Sequence, residues 1–102
     1  MNPREVLLKC TQDALLALGE PTMQSLVWHL NNAGVQMVPE NFDIRRFYAA
    51  LKDMMGGGAD IIMDIVAHTM AFELQLDVTL DPRAPALEKV LKVLEVAQKV
   101  AR

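Results

Sequence analysis

The chain has 102 residues, 52% hydrophobic and 5% aromatic, which suffices for one domain with its own core and leaves no length for a second. Thirteen acidic against ten basic residues give a net charge of −3, so counterion release from nucleic acid would have no broad cationic surface to work through. Cys10 has no second cysteine to pair with, no apolar run approaches the ~20 residues of a membrane span, and the charged N-terminus lacks a secretory signal; a soluble cytoplasmic protein without a cofactor is expected.

Asn2, Pro3 and Glu5 combine an N-cap, a first-turn proline and an acidic residue at the positive end of a helix dipole. The first predicted helix starts there, places Val6, Leu7, Cys10, Ala14, Leu15 and Leu18 on one face, and ends at Gly19. Glu20-Pro21 opens a second, which buries Met23, Leu26, Val27 and Leu30 and stops at Gly34, a residue suited to the left-handed position after a helix. Trp28 stands near that end, either as an interface anchor or as core. Residues 35–40 read as a packed extended connection with at most a two-residue strand, because Pro39 restricts Val38 to extended geometry.

With Asn41 or Asp43 as cap, Ile44, Phe47, Tyr48, Leu51, Met54 and Met55 trace one face of a third helix, and Arg45, Arg46, Lys52 and Asp53 form its solvated side. Past three glycines, residues 59 to about 76 are the most apolar segment and predict a fourth helix at the centre of the bundle. Residues 76–80 are a connector, punctuated by Asp81-Pro82 and Ala84-Pro85. Pro85 suits the first turn of a fifth helix with Leu87, Val90, Leu91, Leu94 and Ala97 on its buried stripe and Glu88, Lys92, Glu95, Lys99 and Arg102 on its polar strip. The expected architecture is an all-α bundle of about five helices, one domain over residues 1–102.

Gly56-Gly57-Gly58 could supply backbone N–H groups to a phosphate, but Ala59-Asp60 follows where Lys and a hydroxyl residue would complete such a site, and no strand precedes it. The triplet therefore reads as a turn: Gly56 caps the third helix, Gly57 reverses the chain, Gly58 permits close helix approach, and Gly56 or Gly58 takes positive φ. Phe47, Leu51, Gly56, Gly58-Ala59, Ile62 and Ile65, with Leu18-Gly19 upstream, give a helix-Gly-x-Gly-Ala-helix junction. Over residues 15 to 70 or so, this pattern resembles the small helical output domains named after Nitrosopumilus, the fifth such class. The resemblance implies an archaeal module used downstream of, or beside, signalling parts, with no established reaction and no catalytic residues to carry over.

On the fourth helix, Asp60, Asp64, His68 and Gln75 form a narrow polar stripe. Asp64 and His68 at i,i+4 spacing, joined by His29 from the second helix, could build a metal or ligand site, and the same spacing equally describes a solvated edge. The methionines read as core filling, and Cys10 as an inert buried thiol. On the fifth helix Val93, Val96 and Val100 make a second apolar stripe, wider than one packed layer needs, which predicts a homodimer through that helix. The functional expectation is a non-enzymatic interaction or regulatory module; the alternative is a small-ligand or metal-binding protein using Asp64, His68 and His29.

Overall fold

The first few N–H groups and last few carbonyls of any helix lack partners within it, so helix boundaries fall where other groups supply them. The computed structural model describes residues 2–100, within which five helices follow in order: α1 (Pro3–Leu16), α2 (Glu20–Asn32), α3 (Ile44–Met55), α4 (Gly58–Glu73) and α5 (Ala86–Val100). There is no strand among the described residues, and Arg102 lies outside them. Asn2 caps α1 by accepting the Arg4 N–H at 2.9 Å, and Asp43 caps α3 by accepting those of Arg45 at 2.9 Å and Arg46 at 3.4 Å. Phe42, just before that second cap, is buried against Phe47 with ring centroids 5.5 Å apart, a hydrophobic staple that fixes how the chain enters α3.

Two helices end in the same hydrogen-bond pattern. After α2, the Val35 N–H reaches back to the Leu30 carbonyl and the Gly34 N–H to Asn31, with Gly34 at φ +86°. After α4, Leu76 bonds to Ala71 and Gln75 to Phe72, and the left-handed position is held by Gln75 at φ +53°. This closure stops α4 at Glu73, a turn earlier than its apolar composition predicts.

α4 is the central helix: it packs on α5, α1 and α3, while α2 rests on α1 and α3. Ala59, Ile62, Met63, Val66, Ala67 and Met70 form its buried side, and they meet Leu7, Leu15, Phe47, Leu51, Val90 and Val93 in one continuous core. Between α4 and α5 the chain runs extended, with Leu76, Val78 and Leu80 against the core and Asp77, Thr79 and Asp81 in solvent, an alternation that has no partner strand.

The buried stripe of α5 is rotated from the one expected. Ala86, Lys89, Val90, Val93 and Ala97 face inward, and Leu87, Leu91 and Leu94 flank them half-buried. The cause is Lys89, only 6% exposed, whose aliphatic stem covers the core while its ammonium reaches the Asp64 carboxylate at 2.9 Å and the Pro82 carbonyl at 3.4 Å. Val93 is consequently fully buried within one chain, which corrects the expectation that it belongs to an exposed ridge; Val96 is half-buried, and only Val100 is freely exposed.

Candidate functional site

The glycine junction is a turn with each glycine in a different role. Gly56, at φ +57° and ψ −129°, closes α3 by donating its N–H to the Lys52 carbonyl at 2.8 Å, in a backbone region that side chains rarely enter. Gly57 caps α4 without a side-chain hydrogen bond, and Gly58 begins it so close to Met55 that a Cβ there would lie 3.1 Å from the Met55 Cε. The positive end of α4 already holds a carboxylate of its own: Asp60 accepts the Tyr48 hydroxyl at 2.6 Å and pairs with the Lys52 ammonium. Lys52 first and Tyr48 second hold the Asp60 carboxyl below its ordinary range, and the same carboxylate raises Lys52. An incoming phosphate would meet this charge, so the cluster ties α3 to α4 across the turn and opposes anion binding.

The structure does not assemble the residues proposed for metal or ligand binding. Asp64 is engaged by Lys89; His68 is exposed on α4; His29 is exposed on α2 with its ring edge-on to Trp28 at 4.9 Å. Among the described residues no three His, Cys, Asp or Glu side chains are grouped to hold a metal ion. Cys10 is 1% exposed, and burial, before the nearby Glu73 charge, pushes its thiol up to about 11, so it stays protonated and unreactive near neutrality. No described helix is long and apolar enough to cross a membrane.

What the structure does present is a second apolar face on α4. Ile61, Ile65 and Phe72 are 64%, 40% and 83% exposed, and with exposed His68 they follow one another at intervals of four, three and four residues. At about 100° per residue these four side chains fall within a sector of roughly 60°, opposite the side that Met63, Val66 and Met70 bury. Asp64 borders the sector and is held by Lys89, while Asp60 is turned toward α3. Trp28, 62% exposed on α2, is a surface residue and not part of the core.

This stripe was missed because an apolar residue on a nearly all-apolar helix reads as buried. The signal that identifies it is surplus: Ile62, Met63, Val66, Ala67 and Met70 alone complete a core-facing stripe, which leaves Ile61, Ile65 and Phe72 beyond what the core needs. No family model matches the chain, and neither a curated protein nor a solved structure does.

Proposed function

We propose that this chain is a non-enzymatic interaction module whose docking surface is the outward stripe of α4. The carrying observation is the alignment of Ile61, Ile65 and Phe72 along one exposed line of a helix whose opposite side is clamped by α1, α3 and α5. Single exposed apolar residues are ordinary on a protein surface, whereas an aligned row of them supports a contact role. The helix that carries the row is held by its packing on α1, α3 and α5, with the Tyr48–Asp60–Lys52 cluster at its start and Lys89 bound to Asp64 midway. A helix fixed by its own core presents its outer face already ordered for a partner.

A photoreactive phenylalanine analogue at position 72, incorporated in the cells that make the protein, tests the reading. Irradiation should give one or a few discrete adducts, while the same group in place of Lys99, 73% exposed at the far end of α5, should give none. Equal, diffuse labelling from both positions would refute a docking role for α4.

A further inference from the structure

α2 is the helix that the core holds least. Of its residues only Leu26 and Leu30 are buried, Met23 and Val27 are half-buried, and the rest stand in solvent. It rests on α1 and α3, outside the contacts of α4 with α5 and α1 that make up most of the packing. Tyr48 ties α3 to α4 and Lys89 ties α5 to α4, but among the described residues no side-chain hydrogen bond or ion pair ties α2 to another element. Its first turn also lacks the side-chain cap that Asn2 and Asp43 give α1 and α3.

The chain on either side of α2 is able to turn. Gly19 enters it at φ +101° and Gly34 leaves it at φ +86°, and a Cβ at either would meet nothing within 4 Å. Both glycines thus stand clear of the packing, with a backbone freedom that no other residue has; just beyond them Leu15 and Val35 are buried in the core. We propose that α2 is a hinged flap: residues 19–34 leave α1 and α3 as one unit while α1, α3, α4 and α5 stay packed. A free helix of this length is marginal in water, so release and melting are a single step. Release bares the sides of α1 and α3 that α2 covers, giving the fold a second state with an apolar trough that the closed state fills. Weakly held elements of this kind are where lids are found. The flap is separate from the docking face of α4, which keeps its place in both states.

Native-state hydrogen exchange of the full chain in increasing urea tests the flap. Amides in the interior of α2, from Gln24 to Asn32, should exchange through one shared opening, protected about 100-fold less than those of Val66, Ala67 and Met70 on α4. Their protection should also fall less steeply with urea, because the opening exposes only part of the surface that unfolding exposes. Asp64→Ala, between α4 and α5, weakens the closed and the open state alike relative to the unfolded chain. It should therefore lower protection on α4 and α5 by about tenfold or more and leave α2 within about twofold of native. Protection and urea dependence of α2 equal to those of α4, amide-by-amide exchange on α2 that ignores urea, or a fall on α2 matching the fall on α4 in Asp64→Ala overturns the flap. The urea series on the native chain decides by itself if the variant does not fold.

Discussion

At the scale of single residues, the chain takes a positive φ on either side of α4, met by glycine before it and by glutamine after it. Gln75 occupies at φ +53° the position that Gly34 fills at the end of α2, and a left-handed conformation costs an L-residue about 1 kcal/mol. Gln75→Gly should therefore stabilise the protein by up to about 0.5 kcal/mol in urea unfolding, net of the entropy glycine adds to the unfolded chain. At the other end, Gly56→Ala should cost about 1 kcal/mol or more through backbone strain alone, since nothing lies within 4 Å of the added Cβ. Gly58→Ala meets only the mobile tip of Met55 at 3.1 Å and should stay within about 0.5 kcal/mol of native. The neighbouring Asp60 carries a pH dependence. Its carboxyl is lowered in the fold, so its contribution is present at neutral pH and is lost as pH falls through the ordinary carboxylate range toward the lowered folded value. Asp60→Asn should flatten that part of the stability profile, and an unchanged acid limb would show that the Lys52 and Tyr48 contacts are not made in solution.

Among elements, the pair α4 and α5 depends on one buried ammonium. Replacing Asp64 with Ala leaves Lys89 buried with only the Pro82 carbonyl at 3.4 Å, which should cost about 1–3 kcal/mol. Lys89→Met keeps the stem in the core and leaves Asp64, 44% exposed, to water, so it should cost less than about 1 kcal/mol. Equal losses in thermal denaturation of the two variants would contradict this asymmetry. The same pair marks how far the sequence could be read. Helix boundaries were legible because they rest on neighbouring residues: Asn2 with Pro3 and Asp43 at two starts, and the glycine that closes α3 at an end. Which side of α5 faces inward was not, because a lysine on the core side appears polar until its partner on α4 is known. Residues 76–80 were legible as a connector, yet only the packing of Leu76, Val78 and Leu80 shows what they cover.

For the whole molecule, one α4 side makes the core on which α1, α3 and α5 converge, and the other makes an apolar face that this chain leaves open. The five-helix architecture follows from periodicity and punctuation, which are local. The site does not, since two apolar sides of one helix become distinguishable only when the rest of the bundle chooses between them. That choice turns Val93 of α5 inward and leaves Ile61, Ile65 and Phe72 of α4 open. The most direct test extends the photoreactive group to positions 61 and 65 beside 72 on α4, and to position 100 on α5, all exposed. The same discrete adducts from the three α4 positions with none from position 100 is the predicted result; discrete adducts from position 100 with the three α4 positions silent would contradict it.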